Sequence, residues 1–488
     1  MKKEVKEKRI LLKYCSNINA KAAEERIITP ENIDYFRTKY PGREFHLYQW
    51  IPFDAPNTSI NTYMEKGGYS ALKKALSMKP EEIISEVKDS GLIGRGGAAF
   101  PTGLKWEFAF KQTEKGKYFV CNADEGEPGT FKDKVLLDQD PHKVIEGMII
   151  GAYAIGSSKG YIYIRGEYQD SIKIIEKALE EARASNILGS NILGSSFSFD
   201  IEVKKGAGAY IVGEETALFR SIEGRRAVPG VKPPFPTVSG LYRKPTVINN
   251  VETLANIPHI ILNGAKWFRS LGVEGSFGTK LFSISGSVKN PGVYEVELGK
   301  YTLGDLIYGL ADGIEGNRKL KAVLPGGAST CFLTKDKLDV RVDYRSLRKA
   351  GSSLGTGAIL VFDETVSIPE TVRDFFDFYQ EESCGNCVPC RIGTKRISEM
   401  LHWITEPVDL DQLKYLSPGG PKKMAYIEKL RDIAMTMKDA AKCGLGQAAP
   451  DPLLSSIEFF KNEYDALIEK RQKEYEYFIE KAKILSKA

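Results

Sequence analysis

The chain has 488 residues, 42% of them apolar and 27% charged, with 69 Lys and Arg against 64 Asp and Glu for a net charge of +5. That length holds roughly three domains at ~150 residues each, in the composition of an ordinary soluble globular protein, and the near balance of charge argues against a nucleic-acid partner. The longest apolar stretch, 144–155, is broken by Glu146 and too short to span a bilayer, which argues against direct membrane insertion.

Residues 1–62 read as a polar N-terminal extension with strand-like pieces (RILLKYC, EFHLYQW) and a turn at Pro41-Gly42. The opening MKKEVKEKRILLKYC lacks the apolar core of a secretory signal, so a cytoplasmic location is expected. In that setting the seven cysteines read as metal ligands or buried thiols before disulfides. MKPEEIISEVKDSG, 78–91, predicts a short helix ending at Gly91.

From about 103 to 270 strands and helices alternate. KYFVCNA (117–123) and YIYIRGE (161–167) read as buried strands, and FDIEVKK (199–205) as another. Between Asp170 and Gly189 lies an amphipathic helix with Ile172, Ile175, Leu179 and Ala182 on one face, capped by Asp170 and ended by Gly189. GAGAYIVGEETALFRSIEG, 206–224, predicts a strand running into Gly213-Glu214-Glu215 and then a helix, whose N-terminal dipole favours the paired carboxylates. Capping alone would also explain that pair. The alternation implies an α/β layer structure.

Beyond 270 the pattern changes. LFSISGSV and VYEVEL flank Asn290-Pro291-Gly292, a hairpin signal, and Thr302-x-x-Asp305 opens a helix with a capping box, which together suggest a small α+β domain. From Ile368 onward the reading is helical, ending in one long charged helix from Leu453 to about Lys487. This C-terminal bundle carries Cys384, Cys387 and Cys390 in ESCGNCVPC, and Cys443 in AKCGLGQAAP. Structural zinc commonly uses two C-x2-C pairs, whereas three closely spaced thiols plus one remote thiol match a [4Fe–4S] cluster better. Zinc, or unrelated thiols, is the competing reading. Cys15, Cys121 and Cys331 stand alone, and Cys121, in an apolar strand, reads as a core thiol.

Two loops complete the chemistry. In GLIGRGGAAFPTGLKW (91–106), Gly94-x-Gly96-x-x-Ala99 nominally fits the dinucleotide fingerprint, but a charged helical segment precedes it instead of a strand. Its small residues suit an anion nest, Arg95 and Lys105 suit phosphate or ribityl oxygens, and Phe100 and Phe108 suit a planar ring. CNADEGEPGTFKD (121–133) puts Asn122, Asp124, Glu125 and Glu127 just past a buried strand, where α/β folds deliver ligand contacts. KPPFPTV (232–238) and PTVINNVETLA (245–255) add an aromatic in a Pro-rich loop and an Asn pair before a helix.

These motifs, in this order over about 66–466, resemble the NADH-binding flavoprotein subunit of respiratory complex I and the homologous diaphorase subunits of soluble NAD-linked hydrogenases and formate dehydrogenases. The resemblance implies FMN, NAD(H) and a [4Fe–4S] cluster as cofactors, with hydride transfer between NADH and FMN followed by single-electron transfer to the cluster. FMN would contact Gly94, Arg95, Gly96, Gly97, Lys105, Asn122, Asp124, Glu125, Tyr210, Gly213, Glu214, Asn249, Asn250 and Thr253. The dinucleotide would stack on Phe100, Phe108 and Phe235, with Glu127 and Glu215 tuning its binding near ribose and nicotinamide. Cys384, Cys387, Cys390 and Cys443 would ligate the cluster, and no side-chain acid or base is required for hydride transfer. The implied fold is α/β plus α+β: an extension at 1–62, a Rossmann-like FMN/NADH domain at 63–270, a β-grasp (ubiquitin-like) domain at 271–360 and a helical bundle with the cluster at 361–488. Ala99 stands where the family commonly has glycine, and Val212 where it often has cysteine. The implied partners are a small thioredoxin-like [2Fe–2S] subunit and a larger iron–sulfur or catalytic subunit. CVPCR and the segment after Cys443 lean toward a soluble, including electron-bifurcating, hydrogenase or formate dehydrogenase; DEGEPG leans toward complex I. A non-enzymatic iron–sulfur sensor is the alternative from another class, and it predicts a cluster without flavin.

Overall fold

A computed structural model describes residues 57–406 and 423–485. The strand-like pieces read at 9–15 and 45–50, with Cys15, lie outside these residues. The chain forms two compact units. One runs to Gly327 and resumes over Lys335–Asp363; the other comprises Ala328–Thr334 and the chain from Glu364 onward.

The first unit is mixed α/β. Its main sheet has four parallel strands, β1 (Lys117–Ala123), β2 (Ser157–Ile164), β3 (Asp200–Lys205) and β4 (Thr246–Asn250), in the spatial order β3-β2-β1-β4. Consecutive strands step away from β1 in one direction, then the chain returns to place β4 on its other side. The order reverses between β1 and β4, where side chains at strand C-termini face a crevice. The largely apolar helix Pro141–Ile155 explains why the sheet is buried: Val144, Ile145, Met148, Ile149 and Ile155 are fully enclosed. Gly151 allows this packing, since a Cβ there would come within 2.3 Å of the Phe119 ring.

A second, mixed sheet contains the strands Leu320–Leu324, Ala358–Asp363, Thr279–Gly286 and Gly292–Glu297 in that spatial order. The hairpin expected around Asn290-Pro291-Gly292 joins the last two. The capping box at Thr302 is present: Asp305 N–H donates to Thr302 Oγ1 (3.1 Å) and Thr302 N–H to Asp305 Oδ2 (2.8 Å). It opens a single wide turn, Asp305–Leu310, instead of an α-helix.

The second unit is helical, with Ile368–Glu382, Val388–Thr405, Lys423–Ala440, Pro450–Phe459 and Lys461–Leu485 packed around Phe376, Ile397, Leu401, Leu430, Met437, Leu453 and Ile468. Three local expectations are corrected. The helix read from Leu453 to Lys487 breaks at Phe460, whose ring packs edge-on against Phe332 (6.0 Å). No strand leads into Gly213; β3 ends at Lys205, and a loop with Gly208 at φ +77° leads to a 3-10 turn, Tyr210–Gly213. The helix Gln169–Ala184 has Tyr168 at its N-cap position, and Asp170 lies in its first turn.

Candidate functional site

A cavity of about 650 Å³ opens at the reversal point of the parallel sheet. Strand register explains its floor: Cys121 pairs with Asn249 and Asn122 with Asn250, so three amides meet where β1 and β4 end. Each is anchored. Asn122 donates to Gly213 O (3.0 Å), Trp106 Nε1–H donates to Asn249 Oδ1 (2.9 Å), and Asn250 caps the helix Val251–Asn263 by accepting from Glu252 N–H (3.0 Å).

The Gly-rich loop forms one wall, between the helices Pro80–Asp89 and Thr102–Phe110. It is pinned by Arg95 N–H to Thr253 Oγ1 (2.8 Å) and Gly94 N–H to Phe100 O (2.9 Å). A Cβ at Gly96 would sit 3.0 Å from Asn250 Cβ, so glycine lets the loop approach the strand end this closely without displacing Asn250. Phe100, Phe108 and Phe235 line the mouth, each more than 40% exposed; large apolar rings left in water around a concave site mark a ligand surface.

The rim is charged. Glu214 caps the helix Glu215–Ile222 by accepting from Thr216 N–H (2.9 Å) and Ala217 N–H (3.0 Å). Lys232 pairs with Glu214 (3.1 Å) and with Glu215. Burial works against the Lys232 charge, but Glu215 and Glu214 outweigh it and raise the ammonium pKa. Lys105, with Nζ on Ile248 O (3.0 Å) and 5.8 Å from the Phe100 ring centroid, is lowered by burial despite Glu215.

The cavity thus gathers Gly94, Gly96, Phe100, Lys105, Phe108, Asn122, Gly213, Glu214, Glu215, Phe235, Asn249, Asn250 and Thr253. Arg95, Gly97, Asp124, Glu125, Glu127 and Tyr210 are not in its lining. Arg95 is buried and points into the core, donating to Phe277 O (2.7 Å) and the Tyr344 hydroxyl (3.3 Å). Glu125 is buried as the helix cap of Lys132–Gln139, accepting from Asp133 N–H (2.8 Å) and Lys134 N–H (3.1 Å); burial, then Asp133, raises its carboxyl to about 7. Tyr210 donates to Glu127 beside Gly126. Lys232, Thr237, Val238 and Gln112 also line the cavity, beyond what the sequence motifs lead one to expect. Of these Lys232 was legible, as the one cation in KPPFPTV within reach of the Glu pair.

In the helical unit the four cysteine thiols share one neighbourhood. Burial pushes the Cys390 thiol up to about 11, against a Ser383 hydrogen bond, and the thiols of Cys387, Cys443 and Cys384 raise it further. Burial likewise raises Cys443, opposed by the N–H groups of Gly446 and Leu445. Among the described residues no trio of His, Cys, Asp or Glu closes to the spacing of a single metal ion. Cys387 stands at the N-cap position of the helix Val388–Thr405, and Cys443 at that of the short helix Gly444–Ala448. A Cβ at Gly446 would lie 3.0 Å from Cys390 Cβ and 3.3 Å from its Sγ, so glycine keeps this cradle open. Four soft donors held apart around such a cradle fit a polynuclear cluster; binding would replace each thiol proton with iron. Cys121, by contrast, is a fully buried core thiol.

Family models match three segments: the Nuo51 FMN-binding domain over 87–259, an SLBB domain over 280–356, and the NADH-ubiquinone oxidoreductase-F iron–sulfur binding region over 370–467. The NADP-reducing hydrogenase subunit HndC of Solidesulfovibrio fructosivorans is 46% identical over 414 residues, 85% of this chain and 81% of that protein. The F 2 subunit of the NADH-quinone oxidoreductase of Rhizobium meliloti (strain 1021) is 45% identical over 85% of this chain and 95% of its own. An NAD+-reducing [NiFe]-hydrogenase in the H2-reduced state superposes with a TM-score of 0.73 at 34% identity, over 90% of this chain and 71% of that one. The chain therefore belongs to the family of NADH-binding flavoprotein subunits, with FMN and a [4Fe–4S] cluster, that serve NADH-quinone oxidoreductases and NAD(P)-reducing hydrogenases.

Proposed function

We propose that the cavity between β1 and β4 is where FMN and NADH meet, and that Cys384, Cys387, Cys390 and Cys443 hold the cluster. The observation that carries the reading is the coincidence of the strand-order reversal, three anchored asparagines and a glycine-walled loop in one cavity ringed by exposed phenylalanines. FMN supplies the conversion of a two-electron hydride donor into single electrons that the cluster accepts. The protein's part is position and field. Asn122, Asn249 and Asn250 would hold polar edges of the flavin, and Gly94 and Gly96 would admit it against the loop. Phe100, Phe108 and Phe235 would clamp the dinucleotide for near-attack stacking. Glu215 and Lys232 form a charged gate at the dinucleotide side. Arg95, Asp124, Glu125, Tyr210 and Gly97 would act at one remove, holding the strand ends and the loop in place; Glu127 would reach the nicotinamide end.

The mixed sheet and the helix Tyr344–Lys349 support a β-grasp domain at 271–360, between a Rossmann-like domain at 63–270 and a bundle at 361–488. Residues 1–62 would be an extension. A soluble hydrogenase or formate dehydrogenase is the favoured parent assembly, supported by HndC and the superposed hydrogenase. The NADH-quinone oxidoreductase relatives support respiratory complex I as the second reading. Either assembly would supply a thioredoxin-like [2Fe–2S] partner and a larger iron–sulfur partner. A cytoplasmic site of action belongs to the same reading. Among the described residues no helix is long and apolar enough to cross a membrane.

The test is reconstitution of the full chain with FMN, iron and sulfide. One flavin per chain, bleached by NADH with reduction of a cluster signal, is expected; failure to take up FMN overturns the flavin assignment. Co-purified partner chains then distinguish the two assemblies.

A further inference from the structure

We infer that the Ser383 hydroxyl donates a hydrogen bond to the Cys390 thiolate and thereby raises the reduction potential of the cluster. This rests on the cysteine assignment above. Ser383 Oγ lies 3.3 Å from Cys390 Sγ and 3.3 Å from Gly385 N. The Gly385 N–H has only one role, to donate, so Ser383 Oγ is the acceptor there. A hydroxyl carries one proton and two lone pairs. With a lone pair given to Gly385, the proton remains for sulfur, and an iron-bound Cys390, being a thiolate, can only accept.

The geometry is held from both sides. Ser383 ends the 15-residue helix Ile368–Glu382, and Gly385, at φ +71°, turns the chain back toward it. Arg391 closes the loop by donating to Gly385 O (2.7 Å). Cys390 lies in the first turns of the helix Val388–Thr405 and is only 5% exposed, so water competes little for its sulfur and the bond is strengthened by the low local dielectric.

The step being tuned adds one electron, delivered from the reduced flavin, to the oxidised cluster; no bond is made or broken. The added negative charge spreads onto the ligand sulfurs. A donor aimed at one of them stabilises the reduced form more than the oxidised form, so the potential rises. Ser383 is thus a positioning and tuning residue, not a ligand.

The test uses the full chain reconstituted with FMN, iron and sulfide, with the cluster followed by electron paramagnetic resonance during a redox titration. Ser383→Ala should keep its iron content while its midpoint moves negative, with the flavin-to-cluster equilibrium falling roughly tenfold, which is about 59 mV for one electron. Ser383→Thr, which retains the hydroxyl, should keep the wild-type midpoint. An Ala variant at the wild-type midpoint, a Thr variant shifted as far as Ala, or an Ala variant that binds no cluster each overturns the inference. A wild-type chain that assembles no [4Fe–4S] signal overturns the cysteine assignment itself, a distinguishable failure.

Discussion

Ala99 adopts φ +54° in the loop that walls the cavity, a region where a Cβ is crowded and glycine is not. The family's usual glycine at this point therefore has a steric reason. Ala99→Gly should raise stability by roughly 0.5–1 kcal/mol, seen as a higher Tm of the flavin-free protein, because relief of strain exceeds the entropy lost on ordering glycine. Glu125 offers a pH test. Burial and Asp133 raise its carboxyl from 4.5 to about 7, so the folded state holds its proton more tightly than the unfolded chain does. Its contribution to stability is fully present below pH 4.5 and is lost as pH rises through about 7. Glu125→Gln should remove that component, flattening the decline of stability between about pH 5 and 7.5 by on the order of 2 kcal/mol, as read from denaturant midpoints. The sequence puts Glu125 and Arg95 among the flavin contacts, whereas neither lines the cavity. Which way they face was not legible, because the choice depends on remote partners: the helix start at Asp133 for one, Phe277 O and Tyr344 for the other.

At the scale of elements, a buried ion network ties the Gly-rich loop to the mixed sheet and to the helix Val251–Asn263. Glu252 is fully enclosed in the helix Val251–Asn263; its carboxylate takes Lys132 (2.8 Å), Lys280 (3.2 Å) and Leu281 N–H (2.8 Å). Lys280 in turn donates to Arg95 O (3.2 Å), behind the Gly-rich loop. Glu252 holds Lys132 more closely, and burial leaves Lys280 lowered to about 8. Removing the shared anion takes the carboxylate from the enclosed Lys280 and leaves Lys132 to Asp133 alone (2.7 Å), so Glu252→Ala should cost about 3–5 kcal/mol, while the cavity residues themselves are unchanged. Thermal melts beside flavin titration check this: a variant that melts like wild type would show the network to be dispensable. Nothing in NVETLA announces such a role, since both lysine partners come from distant segments. Periodicity did reveal the strands β1 and β3 and the amphipathic helix Gln169–Ala184. It missed the break at Phe460, because no glycine or proline marks it and the cause is a ring contact with Phe332.

At the scale of the whole molecule, chemistry is divided between the two units. Every residue lining the cavity belongs to the first, and all four candidate ligands belong to the second. Each unit has its own apolar core, so each site is built from contacts internal to its unit. The division was legible in sequence because glycine-rich loops and cysteines are local signals carried by separate stretches. The interruption at Ala328–Thr334, which leaves the first unit and joins the second, was not, since no local signal in so short a segment says which core Phe332 and Leu333 enter. The division makes a strong prediction. Cys443→Ser removes one ligand by exchanging a soft thiolate for a hard, poorly ionised hydroxyl, while Gly446 and the turn around it stay intact. The [4Fe–4S] signal of the reconstituted chain should be lost or cut by roughly tenfold or more. FMN should still bind at one per chain, and NADH should still bleach it, because Asn122, Asn249, Asn250 and the phenylalanines are untouched. Electron delivery to a one-electron acceptor that draws on the cluster should fall with the signal. If flavin binding or its bleaching disappears together with the cluster, the two sites do not stand on independent cores, and the partition of labour between the units is wrong.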